Sequence, residues 1–283
     1  MSNLIDVHSL HGMLGDDRLR LADTRFDLRD PDKGRQAYHS GHLPGAVFFD
    51  LDHDLSVPNP PGTKGGRHPL PSPHDLAAKL GERGIGNEHI VVVYDDSTAA
   101  FAGRLWWLFR FLGHDDVKVL DGGVNAWLEA GYPLQRTLPV HPPTTFTPRV
   151  RAEMAVDADY VKRRLDDPGV ALIDARTIER YRGDSEPLDI KAGHIPGARP
   201  KPLQQNLAGG RFRSPDALRQ QYEDVAGARE VIAYCGSGVS AAHSLIALEE
   251  AGIKGAKLYV GSWSDWSSDP SNPVAAGDDS SSA

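Results

Sequence analysis

The stretch Glu230-Val-Ile-Ala-Tyr-Cys-Gly-Ser-Gly-Val-Ser-Ala241 decides the fold. Its opening residues are apolar through the centre, as a strand covered on both faces requires. Cys235 ends that run. Gly236 and Gly238 then mark a tight loop, and the chain from Ser240 to Ala251 reads as a helix stopped by Gly252. Strand, glycine loop and helix in that order belong to a parallel α/β unit. The loop falls at the carboxyl end of a strand, where open α/β sheets place their sites. A helix N-terminus there offers unpaired backbone N–H groups and a positive dipole end, and both favour negative charge on the sulfur. A buried cysteine is often only a small hydrophobe. The glycine loop in front of a helix instead marks Cys235 as a nucleophile.

Working outward, the same pattern occurs twice. The first half contains Leu21-Ala-Asp23-Thr-Arg25, Gly41-His-Leu-Pro-Gly-Ala46, Val91-Val-Val-Tyr94-Asp95 and Asp121-Gly-Gly-Val-Asn-Ala-Trp127. The second contains Leu172-Ile-Asp174-Ala-Arg176, Gly193-His-Ile-Pro-Gly-Ala198, Val231-Ile-Ala-Tyr234-Cys235 and Val260-Gly-Ser-Trp-Ser-Asp-Trp266. The matched segments are offset by 151, 152, 140 and 139 residues, in one order. The copies therefore differ mainly by one loop between Ala46 and Val91, where Val57-Pro-Asn-Pro-Pro-Gly-Thr-Lys-Gly-Gly66 lies. In the first copy the strand from Glu88 to Tyr94 precedes a helix from Ala100 to Leu112, with Gly113 as its stop and Val117 to Leu120 as the next strand.

The expectation is an α/β chain of two similar domains, each a mainly parallel sheet flanked by helices. The length of 283 residues agrees, at roughly 150 residues per domain. The boundaries read as an N-terminal domain over 1–138, a linker over 139–152, a C-terminal catalytic domain over 153–275 and a disordered tail over 276–283. The prolines at Pro133, Pro139, Pro142, Pro143 and Pro148 select the linker, and the small, acidic composition selects the tail.

Composition narrows the function classes. No run of 18 apolar residues exists, which argues against a membrane span. The formal charge of −8 argues against a general nucleic-acid or membrane-surface binder. One cysteine allows neither an internal disulfide nor a CxxC metal cluster. The first ten residues, MSNLIDVHSL, lack the pattern of a signal peptide, so a cytoplasmic enzyme is expected.

The paired Gly-His-hydrophobic-Pro-Gly-Ala motifs, the Asp-Ala-Arg segment, the cysteine loop and Gly-Ser-Trp-Ser-Asp-Trp266 together resemble the tandem-domain rhodanese family of sulfurtransferases. The resemblance covers nearly the whole chain. It implies two similar domains with the reactive cysteine in the C-terminal one, and Asp95 stands where the first copy would carry its own. The implied reaction is a double displacement. The Cys235 thiolate takes a sulfane sulfur from a small-molecule donor, becomes a persulfide, and passes the sulfur to cyanide or a thiol, thioredoxin among them. No metal or organic cofactor is implied.

Loop composition bears on the donor. Members specialised for thiosulfate resemble one another in carrying basic side chains in this loop. Here Gly236, Ser237, Gly238, Val239, Ser240 and Ala241 are all neutral, which resembles the 3-mercaptopyruvate sulfurtransferases. Thiosulfate remains the alternative donor. In the mercaptopyruvate enzymes a loop serine is proposed to act with a histidine and an aspartate. By motif these fall on Ser237, His68 and Asp52. Cleavage of the donor C–S bond leaves an enolate, and a polarised hydroxyl can supply the proton it needs. Arg180 matches the arginine used for the donor's anionic group, and an arginine fork suits a keto acid carboxylate. Gly236, Gly238, Val239, Ser240 and Ala241 are expected to receive the donor. One departure stands out. Animal-type members have a second arginine nine residues after the first, and this chain has Asp189 there.

Other motifs read as structural. Asp174 and Arg176 are expected to form an ion pair. His42 and His194 recur in both copies, with and without the cysteine, so they read as turn formers. Two other functions fit poorly. Cysteine phosphatases of this general architecture need an arginine six positions after the cysteine to grip phosphate, and Ala241 occupies that place. A non-catalytic binding module would be expected to have lost Cys235.

Overall fold

The computed structural model describes residues 2–57, 59, 60, 62–96 and 98–278. Its contacts divide the chain into two units. The first comprises Met1–Val57, Leu70–Arg151 and Gly209–Phe212. The second comprises Pro58–Pro69, Ala152–Ala208 and Arg213–Ala283.

In the first unit, β1 (Leu4–Ile5), β2 (Leu19–Asp23), β3 (Ala46–Phe48), β4 (Ile90–Tyr94) and β5 (Val117–Leu120) form a parallel sheet in the order β1-β5-β4-β2-β3. Helices α1 (Val7–Gly12), α2 (Pro31–Ser40), α3 (Pro73–Glu82), α4 (Ala100–Phe111) and α5 (Gly123–Glu129) flank it. The central strand β4 is buried because both its faces are covered: Val91, Val92, Val93 and Tyr94 are fully inaccessible. Val92 and Tyr94 join Leu21, Leu120 and Trp127 in one core cluster.

The second unit repeats this plan. Strands β6 (Ala155–Val156), β7 (Val170–Asp174), β8 (Arg199–Pro200), β11 (Glu230–Tyr234) and β12 (Lys257–Tyr259) pair in parallel in the order β6-β12-β11-β7-β8. Two short strands, β9 (Leu207–Ala208) in the second unit and β10 (Arg211–Phe212) in the first, stand outside these sheets. The helices are α6 (Ala158–Lys162), α7 (Ile178–Arg182), α8 (Pro215–Gln221), α9 (Ser240–Glu250) and α10 (Ser262–Trp266). Tyr234, Tyr259, Trp263 and Trp266 dominate the core on one face of this sheet. Register is repeated too: Asp23 lies opposite Tyr94, and Asp174 opposite Tyr234. Both aspartates hold the buried arginine two residues on, at 2.6 Å in each unit. The two-domain parallel α/β architecture expected from the repeat is the one observed.

Three segments depart from the expected boundaries. Residues 58–69, read as a loop of the N-terminal domain, group with the second unit. The proline-rich segment 139–151 does not hang free. Thr144 N–H donates to Gly81 O, Arg149 N–H to Leu112 O and Arg151 N–H to Phe111 O, and Phe146 is buried. Prolines forbid a helix there, yet an extended chain still lays its remaining N–H groups on the first unit. The tail is tied down as far as residue 278: Ala275 exchanges backbone hydrogen bonds with His194, Gly277 N–H donates to Arg182 O, and Asp278 pairs with the Arg182 guanidinium at 2.6 Å. The rest of the expected tail, 279–283, lies outside the described residues.

Among the described residues, no helix is long and apolar enough to cross a membrane.

Candidate active site

Cys235 is the first residue beyond β11 and is only 2% exposed. Its N–H donates to Ser262 Oγ at 3.1 Å, and its carbonyl accepts from Trp263 N–H at 3.0 Å. The Gly236 carbonyl accepts from Ser264 N–H at 2.9 Å. The turn into α10 therefore pins the strand end that carries the thiol. The loop then turns back through Gly238, at φ +76°, where an added Cβ would lie 2.2 Å from the Val260 carbonyl oxygen. No other residue type fits that conformation and that gap. Val239 is buried, and α9 starts at Ser240 with Ala241 and Ala242 fully inaccessible.

The first unit shows what such a loop holds. Asp95 follows β4 as Cys235 follows β11, and its carboxylate is buried at the start of α4. Oδ1 accepts from Ala99 N–H at 3.1 Å, and Oδ2 from Phe101 and Ala102 N–H at 3.1 and 3.2 Å. An anion rests on backbone N–H groups at a helix N-terminus, as dipole and unpaired donors favour. In the repeat those donors correspond to Val239, Ala241 and Ala242.

His68 and Ser237 meet. The His68 Nδ1 and Ser237 Oγ are 2.7 Å apart, and both residues are buried. His68 is held there because segment 58–69 is anchored to the second unit: Gly65 N–H donates to Asp265 Oδ1 at 2.6 Å and Arg67 N–H to Ser264 Oγ at 3.1 Å. Asp52 belongs to the first unit. It lies half-buried in the turn after β3, its N–H donating to Asp50 Oδ1 at 2.9 Å.

Arg180, on α7, lies beside the cysteine loop. Measured from an ideal Cβ on Gly236, its Nη1 is 3.3 Å and its Nη2 3.4 Å away. Arg67, which the sequence did not single out, is there as well, with Nη2 3.0 Å from the same point. Arg180 Nη2 pairs with Glu186 at 2.8 Å and with Asp189 at 3.1 Å, and Arg67 Nη1 pairs with Asp189. Glu186 also pairs with Arg176 at 3.1 Å, which joins this cluster to the Asp174–Arg176 pair. Burial pushes the Asp189 carboxyl above its ordinary value; Arg67 and Arg180 oppose that push, and Glu186 adds to it. The one sequence signal for Arg67 was its place beside an insertion that the second copy lacks.

The histidines read as turn formers are fully buried. His42 Nδ1 lies 2.9 Å from Tyr38 O, and His194 Nδ1 lies 2.8 Å from Tyr181 O.

Comparison with known proteins identifies the family. Residues 6–130 and 157–269 each match the family described as "Rhodanese-like domain". A Pseudomonas aeruginosa protein named "Probable 3-mercaptopyruvate sulfurtransferase" is 44% identical over 98% of this chain and 99% of its own. A Mycobacterium tuberculosis protein, provisionally named thiosulfate sulfurtransferase SseB, is 42% identical over 97% of each chain. The crystal structure of SseA from Escherichia coli, described among 3-mercaptopyruvate sulfotransferases, superposes with a TM-score of 0.83 at 29% identity, covering 93% of this chain and 99% of that one. The chain belongs to the rhodanese-like sulfurtransferases.

Proposed function

We propose that the enzyme moves a sulfane sulfur from 3-mercaptopyruvate to a thiol or cyanide through a persulfide on Cys235. The Ser237–His68 hydrogen bond at the cysteine loop carries this reading. The Cys235 thiolate attacks the donor sulfur and forms an S–S bond. The donor C–S bond breaks, and its electron pair leaves as the enolate of pyruvate. Ser237 Oγ, polarised by His68, delivers the proton that turns the enolate into pyruvate. Backbone N–H groups of Val239, Ala241 and Ala242 stabilise the sulfur anion, as their counterparts do for Asp95. The acceptor thiolate, or cyanide, then attacks the outer sulfur and releases the Cys235 thiolate. Thioredoxin and small thiols are both competent acceptors. Arg180 takes the donor carboxylate. Asp52 enters only through the resemblance, as the carboxylate acting with Ser237 and His68.

Thiosulfate is the second donor to test, because one relative is named for it. The enzyme is incubated with each donor without acceptor, and intact mass is recorded. The expected result is one added sulfur on the parent and none on Cys235→Ser. No added sulfur from either donor overturns the reading.

A further inference from the structure

The turn into α10 touches the cysteine loop and the histidine segment at once. On one side, Ser262 Oγ accepts from the Cys235 N–H at 3.1 Å and donates to Tyr259 O at 2.8 Å. Trp263 and Ser264 N–H donate to the Cys235 and Gly236 carbonyls at 3.0 and 2.9 Å. On the other side, Ser264 Oγ accepts from Arg67 N–H at 3.1 Å, and Asp265 Oδ1 from Gly65 N–H at 2.6 Å. Gly66 lies between these two anchors. A Cβ added there would stand 2.4 Å from Gly261 O and 2.6 Å from Ser264 Oγ, so the segment is pressed against the turn. One residue past Arg67 comes His68, whose Nδ1 is 2.7 Å from Ser237 Oγ.

Two features set this turn apart from ordinary packing. Ser262 is fully buried at φ +55°, a left-handed conformation that a side chain adopts only at a cost and that its surroundings must hold. Glycine would suit that backbone better, but it has no hydroxyl for the Cys235 N–H. Asp265 is buried as well, and its second oxygen accepts from Tyr259 OH at 2.7 Å. A buried carboxylate is costly unless it is hydrogen-bonded, so Asp265 grips the Gly65 N–H strongly. With the Gly65 and Arg67 N–H groups both fixed, few free dihedrals separate the anchors from the imidazole, and it has little room to drift from Ser237.

Resting on the function proposed above, we infer that residues 262–265 hold the nucleophile and the Ser237–His68 pair in register. Ser262 is the positioning residue for Cys235, and Asp265 is the positioning residue for His68. Each acts through the residue it holds, so the two arms of one turn have separate readouts.

The experiment compares the parent with Asp265→Ala, Gly66→Ala, Ser262→Ala and Ser262→Gly. It records kcat and KM for 3-mercaptopyruvate, and the pH profile of Cys235 alkylation by iodoacetamide, which needs no donor. Asp265→Ala is expected to lower kcat about tenfold by misplacing His68, with KM and the alkylation midpoint as in the parent. Gly66→Ala pries the segment off the turn and is expected to match it, and it decides the point if Asp265→Ala does not fold. Ser262→Ala and Ser262→Gly are both expected to move the alkylation midpoint upward by about one pH unit, since the sulfur is drawn away from the N–H groups at the start of α9. A kcat at the parent value in the Asp265 and Gly66 variants, or a KM and midpoint that change along with kcat, overturns the histidine arm. A parent-like midpoint in Ser262→Gly overturns the cysteine arm. If the parent takes sulfur from neither donor, the proposed function and the histidine arm fail together, while the alkylation profiles still decide the cysteine arm.

Discussion

Ser237 and His68 are separated by 169 residues in sequence and by 2.7 Å in space. In the proposed mechanism that hydroxyl supplies the proton the enolate leaving group needs. Thiosulfate leaves as sulfite, which needs no proton on carbon. Ser237→Ala should therefore lower kcat for mercaptopyruvate by about 10²-fold, within the usual range for a lost proton donor, and lower it for thiosulfate far less. Steady-state kinetics with both donors checks this, and equal losses would remove the relay. The sequence pointed to Cys235, Ser237 and Arg180 through loop chemistry and motif spacing, which are local, and the structure places Ser237 and Arg180 at the cysteine loop. Arg67 was not singled out, since its place beside Gly236 and its pairing with Asp189 join residues far apart in the chain. Asp189 was visible only as a departure. Its meaning, a carboxylate shared by two arginines, is a property of packing.

Elements with strong periodicity were legible almost to the residue. The helix read from Ala100 to Leu112 spans Ala100–Phe111, and the strand read as Glu230–Tyr234 has those limits. Irregular segments were not. Segments 58–69 and 139–151 have no apolar period, and backbone and side-chain hydrogen bonds to distant residues decide where they lie. The cysteine loop is intermediate. Its glycines signalled a turn, and the structure adds the reason for Gly238: a left-handed conformation against the Val260 carbonyl. Gly238→Ala should cost about 2–4 kcal/mol, combining left-handed strain with overpacking. Urea denaturation measures it, and a loss below about 0.5 kcal/mol, the scale of an ordinary surface change, would mean that the loop relaxes freely.

At the scale of the whole molecule, the repeat is the main fact. Each unit buries an Asp–Arg pair at the end of a central strand, Asp23 with Arg25 and Asp174 with Arg176. Removing one charge from such a pair costs about 3–5 kcal/mol. Asp23→Asn and Asp174→Asn should therefore destabilise by similar amounts in denaturant titrations. Only Asp174→Asn should also raise the donor KM, because its arginine continues through Glu186 to Arg180. A donor KM that stays at the parent value in the folded Asp174→Asn enzyme would uncouple that network from the site. The two-fold repeat and the parallel sheets were written in the sequence as ordered motifs, whereas the chain of ion pairs from Asp174 through Arg176 and Glu186 to Arg180 was not. Asp95, standing in the first unit where the repeat matches Cys235, has one more consequence. A persulfide beside a second cysteine of its own chain can collapse to a disulfide and expel hydrosulfide. This chain has no second cysteine, so under the proposed mechanism a persulfide on Cys235 would have no thiol of its own chain to expel its sulfur and would keep it for an outside acceptor.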